Sequence, residues 1–113
     1  MKAATEAKLW YWQRVSAMLL AVCVAIHLGG IIYAVHGGLS AAQILGRTHG
    51  NVLFGVFYGV FVLACAVHVP IGIANVADEM LGWRREYSVL TALLFSALIA
   101  VMGLRAVYGV VIA

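Results

Sequence analysis

Residues 52–77 read VLFGVFYGVFVLACAVHVPIGIANVA, and this stretch decides the fold. It contains no Asp, Glu, Lys or Arg. About 20 apolar residues in a helix cross the hydrocarbon of a bilayer, so the stretch is long enough to span. Working outward, its uncharged run begins at Thr48, just after the isolated Arg47. On the other side it ends at a compact charged loop of Asp78, Glu79, Arg84, Arg85 and Glu86. Two more uncharged runs flank it, Val15 to Gly46 and Tyr87 to Leu104. The whole chain repeats the bias: 113 residues, 65% hydrophobic and 10% charged, against about 25% charged in soluble domains. The mean hydropathy is +1.07. A soluble globular domain of this size could not cover so much apolar surface, and a disordered chain would be poor in it. One domain fits the length.

The expected fold is all-α, with three membrane-spanning helices forming part of a helical bundle. The spans are expected at about residues 10–35, 52–77 and 88–112. His36-Gly37-Gly38 breaks the first helix, and Leu39 to Leu45 suits a short interfacial helix. The first span is too long for the apolar core of a signal peptide, and two further spans follow it. Lys2, Lys8, Arg14, Arg84 and Arg85 gather on one side, with Arg47 alone on the other and Arg105 near it. The positive-inside rule then puts the N-terminus in the cytoplasm and the C-terminus outside. Trp10, Tyr11, Trp12, Trp83 and Tyr87 cluster at the same inner boundary, the zone aromatic rings favour. The net charge of +3 is therefore an orientation signal and not a nucleic-acid patch. Cys23 and Cys65 lie inside spans without a CxxC pattern and read as small buried thiols.

His36 and His49 fall in the outer loop, where a solvated imidazole needs no special reason. His27 and His68 lie inside apolar runs, where ionisable groups are costly and functional. The plainer reading of each is an interhelical hydrogen bond; the sharper one is haem ligation by a neutral imidazole. At His68 the neighbours favour the sharper reading. Gly72 lies one turn on, where a missing side chain would let a flat macrocycle approach the backbone. Pro70 removes a backbone donor and should bend the helix. Asn75 and Glu79 carry the same face to the inner surface, and near His27 the matching glycines are Gly29 and Gly30. Helical rise puts His27 roughly 18 Å and His68 roughly 13 Å above the inner boundary. One haem held by both, or two haems at different depths, fits that arithmetic. Arg14 and Arg105 stand at span edges, where each is an anchor or a partner for a haem propionate. Gly55 and Gly59 form a GxxxG, a close-packing face.

Two motifs carry a family resemblance. Gln13-Arg14-Val15-Ser16-Ala17 opens span one, and His68-Val69-Pro70-Ile71-Gly72-Ile73 in span two leads to Asp78-Glu79 and Gly82-Trp83. In this order, with three spans, they resemble the succinate dehydrogenase/fumarate reductase membrane anchors, the cytochrome b subunits. The first motif is similar to the family's His-Arg-x-Ser-Gly, with Gln13 and Ala17 as departures. The second is similar to its His-x-x-x-Gly-Ile. The resemblance implies a bacterial inner-membrane anchor for an iron–sulfur subunit and a flavoprotein subunit docked on the cytoplasmic face, with a second anchor chain or a second copy beside it. It implies haem b, one or two per assembled anchor, and a quinone as electron-transfer substrate. His68 would be an axial ligand of the haem iron, and His27 a second one in a two-haem form. Arg14 and Ser16 would lie near the quinone or a propionate. Asp78, Glu79 and Trp83 would border the inner quinone pocket or the iron–sulfur subunit. Two other classes stay open on the residues alone: a small proton-coupled transporter with His27 and His68 as relay groups, and a non-redox assembly subunit with those histidines joining helices.

Overall fold

The computed structural model describes residues 2–113, with side chains from Ala3 onward; the side chain of Lys2, one of the orientation charges, lies outside the described residues. The chain forms four helices: α1 (Lys2–Gly37), α2 (Ala41–Thr48), α3 (Val52–Met80) and α4 (Arg85–Val111). There is no strand among the described residues. Helices α1, α3 and α4 are long and apolar enough to cross a membrane, and the bundle measures 50 × 23 × 22 Å. The expected all-α, three-span architecture is what the chain adopts.

Helix α3 is the central element, packed against α1 on one side and more extensively against α4 on the other. Small residues let α3 and α4 approach closely. The buried residues of these two helices are all small: Ala64, Ala74 and Ala77 of α3 and Ser88 and Ala92 of α4. At Gly103 an added Cβ would meet Val62 at 2.8 Å, so only glycine fits there. In the Gly55/Gly59 pair, Gly55 packs on Val111 of α4, while Gly59 has open space around it. Most large apolar side chains, such as Leu53, Leu63, Leu94 and Val101, remain exposed. An isolated soluble fold would not leave them so; hydrocarbon or another membrane chain is the medium this surface suits.

Local chemistry sets the ends of the helices. Ser40 and Gln43 form a capping box at the start of α2: the Ser40 hydroxyl accepts from the Gln43 N–H, and Gln43 Oε1 accepts from the Ser40 N–H. Arg47 near the end of α2 reaches back to the end of α1, where its Nη2 donates to the Gly38 carbonyl at 2.6 Å. A cation there satisfies an orphan carbonyl and the negative end of the helix dipole. The Thr48 hydroxyl donates to the Val110 carbonyl at 2.7 Å, tying α2 to the last turn of α4. Asn51 caps α3, its Oδ1 accepting from the Phe54 N–H at 3.0 Å. At the opposite end, Gly82 turns the chain with φ +65, a conformation that suits glycine. Arg85 donates to the Asp78 carboxylate across this turn and fastens the α3–α4 connection.

Pro70 lies inside α3 and cannot donate to the Ala66 carbonyl one turn earlier. Ser96 on α4 makes up the missing bond: its Oγ donates to that carbonyl at 2.8 Å. In hydrocarbon no water is present to take an unpaired carbonyl, so the proline is tolerated because α4 supplies a hydroxyl at its level.

Candidate functional site

Both intramembrane histidines are half-buried and lie where α1 meets α3. His68 projects from α3, and its Nδ1 is 3.3 Å from Ser16 Oγ on α1. Ser16 is buried, and its hydroxyl donates to the Gln13 carbonyl at 3.1 Å within α1. His27 projects from α1, and its Nδ1 is 2.9 Å from the Tyr58 hydroxyl on α3. The edges of Tyr58 and Phe61 meet the His27 ring, each at a centroid distance of 5.6 Å. Phe54 and Phe57 extend this aromatic cluster along α3. Among the described residues, no hydrogen bond reaches Nε2 of either ring.

The two pairs define the α1–α3 register. Ser16 and His27 are eleven residues apart on α1, and Tyr58 and His68 are ten apart on α3. At the rise of an α-helix that separates the pairs by roughly 15 Å along the bundle. The depth difference is thus about three times what counting from span edges indicates. One chain thus presents His27 and His68 at two separate levels, each paired with a hydroxyl of the facing helix.

The arginine–serine motif does not converge on a site. Two residues of helix turn the direction by roughly 200°, so Ser16 faces α3 while Arg14 is exposed and lies over the Trp10 ring at 5.3 Å. Gly72 does face α1, but its room is taken: an added Cβ would be 3.3 Å from Gln13 Nε2. The Oε1 of the same carboxamide is buried with no hydrogen-bond partner among the described residues. Gln13, a departure from the motif, is thus the residue that fills the glycine's space. Arg105 is exposed in the C-terminal part of α4 and makes no ion pair among the described residues. At the end holding the α3–α4 turn, Asp78 is engaged by Arg85, while Glu79 and Trp83 are exposed. Asn75 lies beside Pro70, Ile71, Ala74, Val89 and Leu93 in a shallow, largely apolar groove of about 270 Å³. No group of three or more His, Cys, Asp or Glu that could hold a metal ion occurs among the described residues. Any metal here would have to come within a prosthetic group or be completed by another chain.

Sequence reasoning missed Tyr58, the partner of His27, and Gln13, the neighbour of Gly72. The aromatic run Phe54, Phe57, Tyr58 and Phe61 was the available signal for the first. These features describe a multi-pass, all-helical membrane protein that carries a histidine–hydroxyl pair between the same two helices at each of two depths. No protein-family model, curated protein or solved structure matches the chain.

Proposed function

We propose that the chain is a haem b-binding membrane anchor subunit of the succinate dehydrogenase/fumarate reductase type, passing electrons between an iron–sulfur subunit and a membrane quinone. The observation that carries this reading is His68: an intramembrane imidazole held at Nδ1 by a hydroxyl, with Nε2 left for a ligand. Metal-bound histidines characteristically have the other ring nitrogen held in this way. The donor set therefore fits axial ligation at His68. It fits less well over Gly72, where the Gln13 carboxamide occupies the approach from α1.

A bound haem b would supply one-electron transfer across the inner half of the membrane. His68 would hold the iron, and Ser16 would hold His68. Arg14 and Arg105 are exposed guanidiniums at opposite ends of the bundle, and either is able to pair with a propionate carboxylate. The unpartnered Gln13 Oε1 is an acceptor suited to the hydroxyl of a reduced quinone. Glu79 is the exposed carboxylate best placed to exchange protons at the inner surface, because Asp78 is held by Arg85. A bis-histidine haem at His68 needs its second imidazole from a second anchor chain or a second copy. Iron–sulfur and flavoprotein subunits would dock at the end holding Trp83 and the charged loop, on the cytoplasmic side of a bacterial inner membrane.

The deciding experiment is a dithionite-reduced minus oxidised absorption spectrum of the purified protein, with haem quantified per chain. A cytochrome b spectrum that His68→Ala abolishes without blocking membrane insertion supports the proposal; a flat wild-type trace ends it. A second reading has its own observation. Both histidines already bond hydroxyls across the α1–α3 seam, as they would in a non-redox assembly subunit. That reading predicts a colourless protein whose bundle loosens when either histidine is replaced.

A further inference from the structure

We infer that His27 and His68 hold opposite neutral tautomers, each set by the hydroxyl it meets, and that only His68 presents a bare Nε2. The consequence for iron rests on the haem reading above; the tautomers themselves do not. A neutral imidazole carries one N–H and one lone pair, so whichever nitrogen has the hydrogen decides what the other can do.

At His68 the count of hydrogens is closed by Ser16. Its Oγ lies 3.1 Å from the Gln13 carbonyl and 3.3 Å from His68 Nδ1. A carbonyl cannot donate, so the hydrogen of the Ser16–Gln13 bond is the hydroxyl's own. The single hydroxyl hydrogen therefore goes to Gln13, and the bond to Nδ1 must be supplied by Nδ1–H. His68 then keeps a lone pair on Nε2, the form that binds iron.

At His27 the count closes the other way. The Tyr58 hydroxyl lies 2.9 Å from Nδ1 and has no other acceptor among the described residues. If Nδ1 were the donor, the phenol hydrogen would be left without an acceptor among the described residues, within an apolar membrane span. The phenol therefore donates to Nδ1, and the hydrogen of His27 sits on Nε2. In that state His27 is a donor at Nε2 and not an iron ligand. Tyr58 is thus a positioning residue that keeps the lone pair of His27 on Nδ1, whereas Ser16 leaves that of His68 on Nε2.

The test is nitrogen-15 NMR of histidine-labelled full-length protein in lipid bilayers, kept reduced with dithionite so that low-spin haem is diamagnetic. His27→Gln and His68→Gln assign the resonances. The expected result is Nδ1 protonated with Nε2 bare or iron-bound for His68, and Nδ1 bare with Nε2 protonated for His27. Tyr58→Phe should raise the share of the bare-Nε2 form at His27 and leave the signals of His68 in place. In parallel, haem per chain should fall to background in His68→Gln and stay at the wild-type level in His27→Gln and Tyr58→Phe. The same tautomer at both histidines, or loss of haem in His27→Gln equal to that in His68→Gln, overturns the inference. A wild-type protein without haem absorbance overturns the haem reading alone, and the nitrogen shifts still decide the tautomers.

Discussion

Ser16 shows how much one buried hydroxyl does in a chain with few polar groups. It ties α1 to α3, and in the haem reading it stands behind the iron ligand. Loss of such an outer partner costs roughly 10–100-fold in metal affinity. Ser16→Ala should therefore weaken haem retention by about that factor, as read by haem titration of the stripped protein. Ser16→Thr, which keeps the hydroxyl, should stay near wild type. At this scale the sequence was only partly legible. His27 and His68 stood out because charge and polarity are scarce around them. That Arg14 and Ser16 point apart follows from helix geometry alone and was available from their spacing. That Tyr58 meets His27 was not, because it depends on the register between α1 and α3. That register is set by packing over both whole helices and is not written in either one.

At the scale of the element, α3 tolerates a proline because a neighbour completes it. Interhelical hydrogen bonds in membranes are worth about 0.6 kcal/mol on average and up to about 1.7. Ser96→Ala should cost an amount in that range by leaving the Ala66 carbonyl unpaired. Pro70→Ala restores an N–H able to bond that carbonyl within α3, so the serine should matter less in its background. Unfolding free energies of the two single variants and the double variant in bicelles would give a positive coupling. Additive losses would mean that Ser96 and Pro70 act independently. Arg47 plays a related part at the end of α1. Arg47→Ala removes the donor to the Gly38 carbonyl and the favourable charge at the helix terminus, worth about 0.3–1 kcal/mol at an exposed end. Amide hydrogen exchange should then quicken in the last turn of α1 and not in its middle. Helix existence was readable from the long uncharged runs, and the capping box of α2 from Ser40 and Gln43 three residues apart. The Ser96–Ala66 bond was not, since a serine in an apolar run says nothing about which carbonyl it will face.

At the scale of the whole molecule, three long helices connected in sequence put the first residues of α1 and the α3–α4 turn at one end, with α2 at the other. With Cys23 and Cys65 replaced by alanine, single cysteines at Ala3 and Leu81 should react from the same side of the membrane. One at Ala42 should react from the opposite side. A membrane-impermeant maleimide applied to intact cells and to inside-out vesicles reads this directly, and the positive-inside rule expects the first pair to be cytoplasmic. The three-span architecture was legible because charge marks its boundaries so sharply. What covers the exposed apolar sides was not, since lipid and a partner helix ask for the same residues.

The length of α1 has a consequence of its own. Its 36 residues make a rod of about 54 Å, well over the roughly 30 Å of bilayer hydrocarbon. Absorbing the difference by leaning alone would need an angle beyond the 0–40° seen for membrane helices. The surplus therefore runs through the headgroup zone and about 10 Å past it as a post, with Glu6 and Lys8 on the N-terminal part of the shaft. A large body settling on that face would meet the post before the headgroups. For any partner that approached this face, its length would set the standoff from the groups buried below.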